Sequence, residues 1–348
     1  MHHEEQTFRA VITTIQAPTR AVADLVAVIG GHPGSLIVVG DKSGPTAYDV
    51  SGTQFFSLDS QFNLGLALVD HLPTSHYARK NIGYLVAMSD RARCIYETDD
   101  DNCPDSSWSA RGEEVTSVVP VEKKGWVNVY AYFTDQPVWP RGFALDEVNQ
   151  SCGITPPTGD PITARAPIQQ GLANNSPDVD AIWRLVMNRP INFTRGHSVI
   201  LRPGAWCPFN SQSTWWFPDA YPLMYLPSYC SFRVTDIWRS FIAQRCLWQL
   251  GLGVVFHGPE VIQERNAHKL ISDFSDELPG YLRNREMTEI LDRLSLDAGT
   301  KAVPQNMITC YEALVVAEFF PQRELELVSA WLQDVERMVN VPLVLSAH

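Results

Sequence analysis

Cys94-Ile95-Tyr96-Glu97-Thr98-Asp99-Asp100-Asp101-Asn102 decides how this chain is read. Residues 94–98 have the length and apolar character of a buried strand, and three carboxylates follow at its exit. In open α/β sheets, ligands bind beyond the carboxyl ends of the strands. Three adjacent Asp residues in that place suit a hard divalent cation. Mg²⁺ and Mn²⁺ take oxygen ligands and reach a protein through one or two carboxylates plus substrate phosphates. A solvated acidic loop is the plainer reading of the same residues.

Outward from this strand the chain alternates as an α/β domain does. Phe8–Ile15 reads as a strand and Arg20–Ile29 as a helix. Ser35–Val39 is a short continuous apolar run ending at Gly40-Asp41-Lys42, and Thr53–Leu58 is a further strand. His76–Ser89 carries Ile82, Leu85, Val86 and Met88 at helical spacing. Uninterrupted apolar runs of this length fit strands of a parallel sheet covered on both faces. Asp41 and Asp99–Asp101 then stand together at predicted strand ends, where a nucleotide would sit. Trp126–Phe133 alternates like another strand. Gly30-Gly31-His32-Pro33-Gly34 is glycine-rich but precedes a strand, the wrong order for a phosphate loop, and reads as a turn.

From Gln136 to Pro227 the periodicity fades and proline, glycine, asparagine and tryptophan become dense. This predicts an irregular half held on the same sheet, with Trp206, Trp215 and Trp216 as core. Asp236–Leu250 is the clearest helix, with Ile237, Phe241, Ile242 and Trp248 on its apolar side. Gly251–His257 follows as a turn and strand. Helical segments near Glu286–Leu296 and Pro321–Met338 complete a C-terminal cap, with Pro321 suited to a first helical position. The organisation expected is one domain in two halves, 1–135 and 136–265, with a helical cap over 266–348.

The bulk composition narrows the function. The chain has 348 residues, 45% hydrophobic and 19% charged, a globular balance. A net charge of −12 argues against nucleic acid as a partner. Seven cysteines include no Cys-x-x-Cys pair, so neither a zinc site nor a disulfide framework is expected. No stretch approaches the roughly 20 apolar residues of a membrane span. Met1-His2-His3-Glu4-Glu5 lacks the basic start and apolar core of a signal peptide, so a cytoplasmic location is expected. Gly-x-Ser-x-Gly and Walker-type loops are absent.

Two segments carry further chemistry. His76-Tyr77-Ala78-Arg79-Lys80-Asn81-Ile82-Gly83 resembles the Ala-Arg-Asn-x-Gly helix that precedes the Asp motif in nucleotide-sugar glycosyltransferases of the GT-A fold. Arg79 and Lys80 offer cations to a pyrophosphate, and Gly83 permits close helix-to-sheet approach; an ordinary amphipathic helix with a basic turn is the alternative. Arg233-Val234-Thr235-Asp236-Ile237-Trp238-Arg239, running on to Gly251-Leu252-Gly253-Val254-Val255-Phe256, resembles the acceptor-side pattern of inverting GT-A enzymes. An acid opening a helix can deprotonate a sugar hydroxyl. It can also merely stabilise the helix N-terminus, by about 1 kcal/mol. Arg239 and Arg245 are phosphate ligands or structural ion-pair partners.

Several motifs make the likeness more specific. Asp70-His71-Leu72-Pro73, Val138-Trp139-Pro140-Arg141-Gly142, Gln169-Gln170-Gly171-Leu172-Ala173, Pro177-Asp178-Val179-Asp180-Ala181-Ile182-Trp183-Arg184-Leu185 and Pro208-Phe209-Asn210-Ser211-Gln212 together resemble the STELLO family of glycosyltransferases, over roughly residues 8 to 265. A weaker similarity reaches the reversibly glycosylated polypeptides, which include UDP-arabinopyranose mutases. The plant STELLO proteins carry a membrane anchor not found here, and their acidic motif has two Asp residues before a basic one.

The resemblance implies an α/β, GT-A-like (Rossmann-like) mixed sheet flanked by helices, with 1–135 as the nucleotide-sugar half and 136–265 as the acceptor half. It implies transfer of a sugar from a nucleoside diphosphate donor, UDP-linked, to a carbohydrate or glycoconjugate acceptor. Asp99 and Asp101 would hold Mn²⁺ or Mg²⁺, with His257 as a candidate third ligand or a structural histidine. Thr13, Asp41, Arg79, Lys80 and Asp100 would contact the nucleotide, and Asp236 would take the acceptor proton with inversion. Trp139, Arg141, the polar cluster of Asn210, Ser211 and Gln212, and Arg239 are candidates for substrate contact, each with a structural alternative. Asp178 and Asp180 would recognise sugar or cap the helix that follows. A nucleotide-sugar mutase, a non-catalytic scaffold and a metal-dependent phosphohydrolase or nucleotidyltransferase are the competing functions.

Overall fold

The computed structural model describes residues 8–30, 35–150, 159–187, 189–264 and 269–340. The Gly31–Gly34 part of the expected turn, the N-terminal segment and Cys152 lie outside the described residues.

Alternate residues of the first strand serve opposite faces, which is why its sequence is apolar throughout. In β1 (Phe8–Thr14), Ala10 and Ile12 pack with Val22 and Leu25 of α1 (Arg20–Val28). Val11 points the other way, beneath a later helix. β2 (Leu36–Gly40) is buried throughout and pairs in parallel with β1 and with β3 (Thr53–Phe56). After α2 (Leu58–Phe62), a 3₁₀ turn at Tyr77–Arg79 leads into α3 (Lys80–Ser89). β4 (Cys94–Thr98) is fully buried and parallel to β1.

The second half continues the same sheet. Its strands are β5 (Asn102–Pro104), β6 (Glu114–Val121), β7 (Gly125–Trp126), β8 (Ile162–Arg165), β9 (Ile168–Asn174), β10 (Val199–Leu201), β11 (Ala205–Trp206), β12 (Ser213–Trp216) and β13 (Val255–Gln263). Eleven strands form one mixed sheet in the order β3-β2-β1-β4-β12-β9-β13-β10-β6-β8, with β5 paired to β13. β12 runs antiparallel between β4 and β9, joining the two halves. The remaining helices are α4 (Leu145–Val148), α5 (Ala181–Met187), α6 (Thr235–Leu247), α7 (Leu270–Arg293), α8 (Val303–Val316) and α9 (Glu324–Asn340). This is an α/β architecture of GT-A-like type.

Three expectations change. Trp126–Phe133 is not a strand: only Gly125–Trp126 is extended, paired with β11, and Val129–Tyr132 closes as a 3₁₀ turn. Trp126, Val127, Val129, Tyr130 and Phe133 are all buried, a spacing that a compact turn satisfies and a two-faced strand does not.

The region called irregular holds β8 to β12. Its central strands hid because polar residues are buried in them. Gln170 bonds Asn210, Gln169 bonds His257, and Ser213 bonds Glu260, so side-chain partners replace apolar alternation. The C-terminal cap contains α8, which was not expected, and α7 begins 16 residues before Glu286 because Pro279-Gly280 inside it broke the pattern. Pro321 precedes α9, its carbonyl accepting from the Glu324 amide at 2.9 Å. No helix among the described residues is long and apolar enough to cross a membrane.

Gly83 sets how closely α3 approaches the sheet. A Cβ there would stand 2.5 Å from Val11 Cγ1 and 2.9 Å from Val39 Cγ2. Ala normally favours a helix over Gly by about 1 kcal/mol, yet overpacking costs about 1–3 kcal/mol. Gly83→Ala is expected to lower the denaturation midpoint, and an unchanged or raised midpoint would show that the sheet yields.

Candidate active site

A cleft of about 410 Å³ opens above the carboxyl ends of β1, β2 and β4. Thr13, Asp41 and Asp99–Asp101 all line it, as does Arg233 from the turn before α6. Each carboxylate is differently engaged. Asp41 accepts from the amides of Lys42 at 2.6 Å, Ser75 at 2.8 Å and His76 at 2.8 Å, and so shapes the loop that enters α3. Asp99 Oδ1 accepts from Lys80 Nζ at 2.8 Å and Tyr77 Oη at 2.7 Å. Asp100 accepts from the Thr14 hydroxyl, and burial pushes its carboxyl above the ordinary value while that bond opposes the shift. Asp101 Oδ2 accepts from Gln263 Nε2 at 3.2 Å. Thr13 Oγ1 donates to the Val39 carbonyl at 3.0 Å.

Asp236 stands behind this cleft. Its carboxylate takes Arg141 Nη2 at 2.8 and 3.1 Å, while Arg141 Nε holds Asp178 Oδ1 at 2.7 Å. Ser211 Oγ lies 3.4 Å from Asp236 Oδ2 and 2.5 Å from Tyr77 Oη. A continuous polar path therefore runs from Asp99 through Tyr77 and Ser211 to Asp236. The Tyr77 phenol is held well above its usual pKa, first by burial and then by Asp99 and other acids around it. It remains a neutral donor in this path.

Other candidates have structural partners instead. Arg79 is fully buried and bonds Gln61 Oε1 at 2.7 Å and the Leu72 carbonyl, away from any pyrophosphate. Lys80 is also fully buried, reaching only Thr98, Asp99 and Tyr77, so it braces the acidic cluster from beneath. Arg239 pairs with Glu97 Oε1 at 2.8 Å in the core and lies over the Trp216 ring. Arg245 bonds the Leu291 and Leu294 carbonyls. His257 meets Ser198 Oγ at 2.7 Å and Gln169 Oε1 at 3.0 Å. Burial depresses its pKa well below the usual value, and it does not line the cleft. Asn210 is tied to Gln170, and Gln212 is buried beside it with its carbonyl on Thr98.

Asp180 caps α5 through the Trp183 amide at 2.7 Å and takes the Trp139 indole at 2.5 Å, which engages the polar edge of Trp139. Tyr77 and Gln263 were missed as site residues, although Tyr77 lies inside a quoted motif, whereas Ser211, expected with Asn210 and Gln212 to face sugar hydroxyls, bonds Tyr77 and Asp236 instead. Gln263 had no signal, because only sheet register brings β13 to Asp101.

The sheet order and this cleft have the character of the GT-A class of glycosyltransferases. A family model described as STELLO glycosyltransferases matches residues 233–346. "Probable glycosyltransferase STELLO1" of Arabidopsis thaliana is 27% identical over 362 residues, covering 93% of this chain and 44% of its own length. "Probable glycosyltransferase STELLO2" of the same plant is 26% identical over 347 residues, with the same coverage. The chain is STELLO-like, and the likeness extends past residue 265 through the helical cap. It spans less than half the length of these relatives.

Asp180 gives a pH test. Burial raises its pKa from 3.8 to about 6, with the Trp183 and Trp139 bonds opposing. A raised acid adds stability that is complete below the unfolded value and is lost as pH rises through the folded one. Asp180→Asn keeps the Trp183 cap but turns its amide N–H towards the Trp139 indole N–H, a loss present at every pH, while it removes the cost of ionisation. Relative to wild type the variant is therefore expected to gain about 3 kcal/mol between pH 4 and pH 8, read in thermal melts across the range. A pH-independent difference would refute the assignment.

Proposed function

We propose that this chain transfers a sugar from a nucleoside diphosphate donor, UDP-linked, to a hydroxyl of a carbohydrate or glycoconjugate acceptor. The observation that carries this reading is the gathering of Thr13, Asp41 and Asp99–Asp101 in one cleft from the ends of three neighbouring parallel strands. The names of the relatives, probable glycosyltransferases, support the same class.

In this reading the nucleoside lies along Thr13 and Asp41, and the diphosphate lies between the acidic cluster and Arg233. Among the described residues no three His, Cys, Asp or Glu side chains form a ready metal-holding group. Asp99 and Asp101 nevertheless fit the open mode in which carboxylates share Mn²⁺ or Mg²⁺ with substrate phosphates. Such an ion, when bound, would supply Lewis-acid stabilisation of the departing diphosphate.

Lys80 and Tyr77 keep Asp99 oriented towards the cleft floor. Arg141 fixes the Asp236 carboxylate, which accepts the acceptor proton as general base. Tyr77 and Ser211 stand between the cleft and Asp236. The acceptor hydroxyl therefore gives its proton to the Tyr77 oxygen as Tyr77 passes its own to Ser211 and Ser211 passes its own to Asp236. One direct displacement by the acceptor hydroxyl inverts the anomeric carbon.

Calorimetric titration of UDP with Mn²⁺, and again with chelator, tests the donor site. Wild type is expected to bind only with metal, and Asp99→Asn, Asp101→Asn should abolish binding, the amide oxygen at position 99 keeping a polar partner for the buried Lys80 so that the fold is retained. Absence of any nucleotide binding by folded, metal-supplied protein would favour a scaffold. With a donor identified, Asp236→Asn should retain donor affinity and lose transfer by about 100-fold or more. Unchanged transfer would remove Asp236 as the base.

A further inference from the structure

A second cleft, of about 400 Å³, opens between Asn175, helix α5 and Leu270 at the start of α7. No residue lines both clefts, yet two bonded ribs join them. Asn175 Nδ2 donates at 2.9 Å to the carbonyl of Gln263, whose side chain faces the first cleft. Glu277 accepts from Arg233 of the first cleft at 2.9 and 3.0 Å and pairs with Arg184 of the second at 3.4 Å. Both clefts therefore lie side by side at one end of the sheet.

Their charges are opposite. Four Asp residues line the first, whereas no acid lines the second, which carries Arg184 and Arg189 in a chain of net charge −12. Arg184 is spoken for by Asp273 at 3.0 Å and by Glu277. Arg189 is exposed at the rim, and no ion-pair partner for it is found among the described residues. Pro190 and Leu270 add an apolar surface, with Val179 and Ile191 buried directly beneath it. The volume lies within the roughly 300 to 1,000 Å³ of ligand pockets.

We propose that the second cleft is an acceptor subsite for a sugar bearing a carboxylate. The carboxylate pairs with Arg189, whose planar fork matches two oxygens at once. The C–H face of the pyranose ring rests on the apolar surface, and Asn175 offers its remaining polar capacity to ring hydroxyls. The acceptor role rests on the transferase reading of the first cleft, while the binding itself does not.

The test follows methyl NMR signals of Val179, Ile191 and Leu270 in the full chain during titration with D-glucuronate, D-glucose or inorganic phosphate. Glucuronate is expected to shift all three and to bind at least about tenfold tighter than glucose, the scale of one charge-assisted contact. Arg189→Gln should abolish that preference while leaving Mn²⁺-UDP titration of the first cleft unchanged. Equal binding of glucose, equal binding of phosphate, silence of these methyls, or an unaffected Arg189→Gln variant would each overturn the proposal. Failure of UDP binding with glucuronate binding intact would instead count against the donor reading alone.

Discussion

The Glu97–Arg239 ion pair sets the distance on which the whole site depends. Glu97 lies two residues before Asp99 on β4, and Arg239 lies three residues after Asp236 on α6, so one contact locks the acidic cluster to the helix of the candidate base. Both side chains are essentially without solvent exposure. A buried charge is tolerable only with full partnership. Glu97 has it, accepting from Tyr84, from the Trp216 indole at 2.9 Å and from Arg239 at 2.8 Å. Arg239 adds the face of Trp216, 5.0 Å from its guanidinium carbon. Loss of either partner would strand the other, at a cost of about 3–5 kcal/mol.

A second layer of alternating charges extends outward from this pair. Arg141 bridges Asp178 and Asp236, Arg233 reaches Glu277, and Glu277 meets Arg184. Arginine suits this work because its rigid fork can hold two carboxylates in fixed directions. The network ties the segment before α5, the start of α6 and the side of α7 into one unit. The long helix of the C-terminal cap is thus part of the site's frame. This accords with the family match running from residue 233 to 346.

The acidic cluster is likewise less uniform than its letters suggest. Asp99 is compensated by a buried lysine, Asp100 faces a threonine, and Asp101 faces a glutamine. Three like charges side by side would repel in a dry site. Distinct donors spread that cost and leave the cleft an acidic face. Across the Glu277 rib, the neighbouring cleft offers arginine instead.

The sequence alone determined the parallel core and its ligand edge. β1, β2 and β4 are short apolar runs because both faces are covered, and Asp41 and Asp99–Asp101 had to stand at their carboxyl ends. The helix at 235–247 was legible from its period. Tertiary structure decided what each polar side chain does. β9 and β12 bury glutamines, serine and threonine whose partners come from distant strands, so no local period marked them. Arg79, Arg239 and His257 looked like ligands because their residue types can ligate, but long-range packing gave each a buried partner. Tyr77, Ser211 and Gln263 gained their places through sheet register and helix docking. Period and residue type are local properties, whereas partnership between buried polar groups belongs to the assembled fold.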